Sequence, residues 1–226
     1  MFKIKKVYNN FKNKYIVQQR REHEYAINRY YAHVIDPFFT KIVYDLKLTP
    51  NMVTIIAGFL GIVASVFFIF DYWITGAILL QLHHFMDGAD GNLARLTNNC
   101  SALGAKLDKL FDQLVRIVLF LTLAIIIDVP LWAKILFIVT IYWDLFIVHY
   151  YILPFMRRNK MKRAKWKEWF LSKGIIPGFD HFTIFFLISL GAIFQRLDVV
   201  IYIVIILKNI DWLYRVWECL KTQYRK

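Results

Sequence analysis

The sequence predicts an all-α protein integral to a membrane, with about six transmembrane helices behind an N-terminal cytoplasmic amphipathic juxtamembrane helix. Three observations predict it. Of the 226 residues, 58% are hydrophobic and only 20% charged, against about a quarter charged in ordinary globular proteins. So much apolar surface cannot be hidden in one small soluble core, because surface shrinks too slowly with size. The apolar residues also come in blocks with short polar breaks, and the basic residues behind the formal charge of +13 cluster in a few segments. This composition excludes a soluble enzyme and a disordered chain. Two cysteines, Cys100 and Cys219, exclude a disulfide framework and a four-cysteine zinc site.

Residues 1–47 read as a basic juxtamembrane segment. They carry Lys3, Lys5, Lys6, Lys12, Lys14, Arg20, Arg21, Arg29, Lys41 and Lys47, mixed with Tyr25, Ile27, Tyr30, Tyr31, Val34 and Ile35. The mixture predicts a helix lying on the membrane with its basic face toward lipid phosphates, and Pro37 is expected to break any helix there. No apolar region followed by a cleavage site marks it as a signal peptide.

The core over 48–217 follows. Met52 to Phe70 is uncharged and long enough to cross a hydrocarbon layer of about 30 Å. Further spans are expected at 73–86, 113–127, 131–155, 176–195 and 198–217, with breaks at Asp71, Asp128-Val129-Pro130 and Gln195-Arg196-Leu197-Asp198. Gly58, Gly61 and Ala64 put small residues on one face of the first span, which predicts close helix packing.

A basic loop carries Arg157, Arg158, Lys160, Lys162, Arg163, Lys165, Lys167 and Lys173, and a basic tail over 218–226 ends with Lys221, Arg225 and Lys226. With six spans, these segments and both termini share one side, which the positive-inside rule makes cytoplasmic. The positive charge is then a topological signal facing membrane lipids, not nucleic acid.

The informative stretch joins the second and third spans. Asp87 and Asp90 are i,i+3 on a helix and share a face with Gly91 and Ala94, while Gly104, Asp108 and Asp112 repeat every four residues on the next helix. Two antiparallel helices would aim these carboxylate pairs at each other. Ionisable groups at membrane depth are costly and mark function, and packed carboxylates repel one another. Divalent cations relieve both problems, and all-oxygen ligation selects a hard ion such as Mg²⁺, Mn²⁺ or Ca²⁺ over zinc. His83 and His84 then serve helix packing, not metal binding.

The pattern resembles the signature of the CDP-alcohol phosphotransferase (phosphatidyltransferase) family, D-x-x-D-G-x-x-A-R-x8-G-x3-D-x3-D. Every fixed position matches, with Leu96 to Leu103 as the eight intervening residues. Upstream, Pro50-Asn51-Met52-Val53-Thr54 resembles the P-N-x-x-T element of the family's first membrane helix. The resemblance implies transfer of a phosphatidyl, archaetidyl or similar group from a CDP-linked lipid to the hydroxyl of a small polar alcohol, releasing CMP. It implies two Mg²⁺ or Mn²⁺ ions held by Asp87, Asp90, Asp108 and Asp112, with Asp112 also the general base. By the same resemblance Asn51, Thr54, Gly91, Arg95 and Ser101 bind the CDP-lipid donor, and the protein is expected to be a homodimer.

One departure matters. After Asp108 the chain reads Lys109-Leu110-Phe111, so the histidine habitual in the choline/ethanolamine branch is absent. This favours a CDP-diacylglycerol-type or ether-lipid donor over transfer of a CDP-headgroup to diacylglycerol. For the acceptor, Arg116, Arg157, Arg158 and Lys208 are the candidate cations, beside Asp144, His149, Asp180, His181 and Asp211 within or near the spans. Structural pairing of Asp144 or Asp211 with Arg116 or Lys208 is the competing expectation. A divalent-cation channel or transporter is the rival class, disfavoured because the polar groups gather in the cytoplasmic half.

Overall fold

A computed structural model describes residues 2–16 and 22–224. Arg20, Arg21, Arg225 and Lys226 of the two basic ends lie outside the described residues. The chain is almost wholly helical. Helix α1 (Phe2–Tyr15) and α2 (His33–Asp45) precede the long helices α3 (Pro50–Ile69), α4 (Trp73–Leu96), α5 (Ala102–Ile126) and α6 (Leu131–Ile147). A π-helical turn, Val148–Ile152, carries α6 into α7 (Leu153–Arg158), and α8 (Lys165–Ser172), α9 (His181–Ile193) and α10 (Leu197–Tyr224) complete the chain.

The helix ends follow local chemistry. Thr49 caps α3, its hydroxyl accepting from the Met52 amide, and Pro50 follows where its missing N–H costs nothing. Ser101 caps α5 and Asp180 caps α9 in the same way. The tight links after α3 and α9 place Asp71 and Gln195 at positive φ.

Among the described residues two helices, Pro50–Ile69 and Leu131–Arg158, are long and apolar enough to cross a membrane. The other apolar segments differ from the simple spans expected. The expected 176–195 span starts as a helix only at His181, because Ile175–Ile176 pair as a two-residue strand with Glu24–Tyr25 and Asp180 caps the helix. The resulting 13 residues rise about 20 Å at 1.5 Å each. Helix α4 is continuous through the acidic motif, and α5 starts inside it.

Pro37 does not break a helix. It sits inside α2, buried, five residues from the start. The π-helical turn Asn28–Ala32 immediately before α2 already disturbs the hydrogen-bond ladder there, so the missing proline N–H falls where the regular i→i−4 pattern is just being established. Helix α1 folds back on α2 through Phe11 and Tyr8 against Phe38, and the Tyr8 hydroxyl donates to the Val34 carbonyl at 3.1 Å.

The main core is formed by Phe68, Leu80, Leu119, Phe120, Phe137, Ile141, Ile184, Ile188 and Val204 with their neighbours, drawn from α3, α4, α5, α6, α9 and α10. Helices α4 and α5 each pack on α3 more than on one another. The small-residue face of α3 makes this possible. A Cβ on Gly58 would lie 2.2 Å from the Phe111 ring of α5, and one on Gly61 would lie 2.6 Å from Val115. Held from below by α3, the motif-bearing parts of α4 and α5 flank a cleft.

Candidate active site

Three of the four motif carboxylates converge. Asp87 and Asp90 on α4 and Asp108 on α5 each bring an oxygen within 4.8 Å of the others'. Asp90 is buried, and its Oδ2 accepts from the Thr54 hydroxyl of α3 at 2.5 Å. Thr54 Oγ1 also lies 3.2 Å from the Pro50 carbonyl, so α3 sets the rotamer of a carboxylate carried on α4. Asp112 stands one turn further along α5, with Arg116 Nη2 3.5 Å from its Oδ2 and Arg116 Nε donating to its backbone carbonyl. It lies ahead of the apolar part of α5, facing the larger cavity.

This donor set fits a hard divalent cation. Three carboxylate oxygens at such separation repel one another until positive charge is placed between them, and hard ions of the Mg²⁺ and Mn²⁺ kind take oxygen ligands of this type.

Two cavities meet at the carboxylates. The smaller, about 200 Å³, is lined by Asn51, Thr54, Gly91, Arg95 and Ser101, with Asp90, Cys100, Gly104 and Asp108. All five residues assigned to the donor from the sequence therefore share one pocket. Gly104 is needed to form it, since a Cβ there would lie 2.8 Å from Asn51 Oδ1. Ser101 caps α5, its Oγ accepting from the Gly104 amide at 2.9 Å. Arg95 donates to Asn92 Oδ1 at 2.8 Å, which aims the guanidinium at the junction.

The larger cavity, about 490 Å³, holds Asp87, Asp90, Asp108 and Asp112 on one side. Its other wall comes from the N-terminal segment: His23, Glu24, Tyr25, Asn28, His33 and Asp36. Sequence reasoning missed this wall. The only hint was a run of polar and aromatic residues too rich in acceptors for a plain basic anchor.

The four candidate acceptor cations line neither cavity. Arg116 is engaged with Asp112. Arg157 and Arg158 are exposed at the end of α7. Lys208 is buried in α10, 2.7 Å from Asp144 Oδ2, and donates to the Phe179 carbonyl. Of the pairings weighed from the sequence, Asp144–Lys208 is the one formed, and Asp211 instead holds Arg215 at 2.6 Å. His83 is buried with Nδ1 2.9 Å from the Ala57 carbonyl, and the His84 ring packs edge-on against Phe182.

A profile of the CDP-alcohol phosphatidyltransferase family matches residues 47–217. The chain belongs to the CDP-alcohol phosphatidyltransferase family. It is accordingly a transferase of phosphate-containing groups acting in phospholipid synthesis, in a family that is membrane-associated and generally dependent on divalent metal. An archaetidylinositol phosphate synthase of Pyrococcus horikoshii is 29% identical over 181 residues, 80% of this chain and 88% of the relative. A bifunctional IPC transferase and DIPP synthase of Thermococcus kodakarensis is 38% identical over 69 residues, 30% of this chain but only 16% of that protein. Its namesake from Aquifex aeolicus is 33% identical over 89 residues, 39% of this chain and 19% of that protein.

Proposed function

We propose that this member transfers a phosphatidyl or archaetidyl group from a CDP-linked lipid to a hydroxyl of a soluble polar alcohol. The observation that carries the reading is the meeting of the two cavities at Asp90, Gly91, Arg95 and Asp108. The smaller cavity would take the cytidine end, between Asn51, Thr54 and Ser101. Gly91 carries no side chain where both cavities meet, so the donor's diphosphate can lie against the helix there, within reach of Arg95.

In the reaction, the acceptor's oxygen bonds to the lipid-bearing phosphorus and the bond from that phosphorus to the CMP oxygen breaks. Asp112, in the larger cavity, would take the hydroxyl proton, and Arg116 would act through Asp112 by keeping its carboxylate oriented. Asp87, Asp90, Asp108 and Asp112 would hold Mg²⁺ or Mn²⁺, two ions in this reading. Such ions supply charge compensation for the diphosphate.

The protein would cross the membrane about six times, through α3, α4, α5, α6, α9 and α10, with the active site and both termini on the cytoplasmic side. Its basic loop and N-terminal segment support that orientation. As the resemblance implies, it would act as a homodimer. The Pyrococcus relative's name supports an inositol phosphate as the acceptor.

The test is a product assay with CDP-diacylglycerol or its ether-lipid counterpart, Mg²⁺ or Mn²⁺, and a panel of inositol phosphate, glycerol 3-phosphate, serine and free inositol. Alcohol-dependent release of CMP with formation of the matching phospholipid is expected. Release of no CMP with any of them would overturn the reading.

A further inference from the structure

We propose that the N-terminal segment around Glu24, Tyr25 and His33 is the acceptor subsite, and that it selects a polyol by reading its ring hydroxyls. The inference rests on the transferase reading above. The donor cavity is built wholly from residues 50–108, inside the stretch shared with the family. The larger cavity is not: its far wall lies before residue 47, outside the family match. With the donor's diphosphate at the junction, the space left for the attacking molecule is the space this wall encloses. Residues outside the shared stretch would then choose the alcohol.

The wall offers groups suited to hydroxyls. One Glu24 oxygen is held by His33, whose Nε2 lies 2.7 Å from Glu24 Oε2 while its Nδ1 lies 2.8 Å from Asp36 Oδ2. Among the described residues no side chain holds the second Glu24 oxygen, which is left to accept from a ligand. Tyr25 oxygen accepts from Arg215 Nη2 at 3.1 Å, which leaves its own O–H to donate. Arg215 is itself gripped by both oxygens of Asp211, at 3.1 and 2.6 Å, so its charge is compensated inside the wall. A carboxylate acceptor and a phenol donor lining one cavity match two hydroxyls of a polyol, each of which gives and takes a hydrogen bond.

The wall is also held in place, as a selective site must be. Glu24 and Tyr25 pair in parallel with Ile175 and Ile176, and the Glu24 amide donates to the Gly174 carbonyl at 3.1 Å. Arg29 Nη1 donates to the same carbonyl at 2.7 Å, and Asn28 Nδ2 donates to Asp180 at 3.1 Å. At the other end Asp36 is buried against α4, where a Cβ on Gly88 would lie 2.8 Å from Asp36 Oδ1. Gly88 directly follows Asp87, so the wall is registered against the carboxylate cluster.

The experiment uses the full chain with CDP-lipid donor, an inositol phosphate, and its singly deoxygenated analogues. Glu24→Gln is expected to raise the KM for the inositol phosphate about tenfold, the loss of one charge-assisted hydrogen bond, with donor KM unchanged. In the wild type, one deoxy analogue should suffer a similar penalty; in Glu24→Gln that analogue should suffer no further loss. Tyr25→Phe should behave likewise with a different hydroxyl, and it carries the test if Glu24→Gln does not fold. Unchanged acceptor KM in both variants, or equal rises for donor and acceptor, would overturn the subsite while CMP release continued. A wild type that prefers serine to the polyol would overturn it too. CMP release from no alcohol would instead refute the transferase reading itself.

Discussion

Asparagine at position 112 removes the base and weakens one of the four carboxylates that would hold metal, while three persist. The carboxamide keeps the shape of the side chain beside Arg116, whose Nε bond to the residue 112 carbonyl does not involve the side chain. The tight trio of Asp87, Asp90 and Asp108 is untouched, and Asp112 does not line the donor pocket. What is lost is a group able to take the hydroxyl proton. A positioned general base contributes about 10²–10⁴-fold, which is roughly 2.7–5.4 kcal/mol at 1.36 kcal/mol per decade. Asp112→Asn should therefore lower kcat by about 10²–10⁴-fold, while donor affinity, read by CDP-lipid titration under turnover-free conditions without alcohol, changes little. Near-normal kcat would refute the assigned base. A loss of donor affinity as large as the loss of rate would show that Asp112 acts only through the metal it helps to hold and not as the base.

Three further outcomes are expected. Chelation with EDTA should abolish CMP release, and Mg²⁺ or Mn²⁺ should restore it; full activity in chelator would leave the convergent carboxylates unexplained. Thr54→Val deletes the donor to buried Asp90 with little change of shape, and a hydrogen bond to a charged group is worth about 1.5–3 kcal/mol, so the metal concentration for half-maximal rate should rise at least about tenfold and Tm should fall. Asp144→Ala strands buried Lys208 and should cost about 3–5 kcal/mol of stability, seen as a lowered Tm; an altered acceptor KM at unchanged Tm would put this pair in the binding site.

The parts of the site legible in the sequence are those set by helical spacing. Asp87 with Asp90, and Asp108 with Asp112, lie on two helices at i,i+3 and i,i+4, so their faces followed from periodicity alone. Gly58 and Gly61 announced close helix packing on α3 by the same rule, though not that α5 is the helix they admit. The N-terminal wall was illegible because it depends on contacts across more than a hundred residues. Glu24 meets Ile175 through a two-residue parallel pairing, which leaves no pattern in a sequence. Pro37 misled for a related reason: a proline rule assumes a regular ladder, and the π-helical turn before α2 had already interrupted it. Charge pairing was half legible. The Asp144–Lys208 pair was among the pairings expected, whereas Asp211 was expected to pair with Arg116 or Lys208 and instead takes Arg215, its i+4 neighbour on one helix, which the sequence reading passed over.

The central claim is that the alcohol's oxygen attacks the lipid-bearing phosphorus and CMP leaves with its own oxygens. Acceptor labelled with ¹⁸O in the reacting hydroxyl tests it most directly, by mass spectrometry of both products. The account predicts the label in the phospholipid's phosphodiester and none in CMP. Label in CMP, or an unlabelled phospholipid, would contradict it.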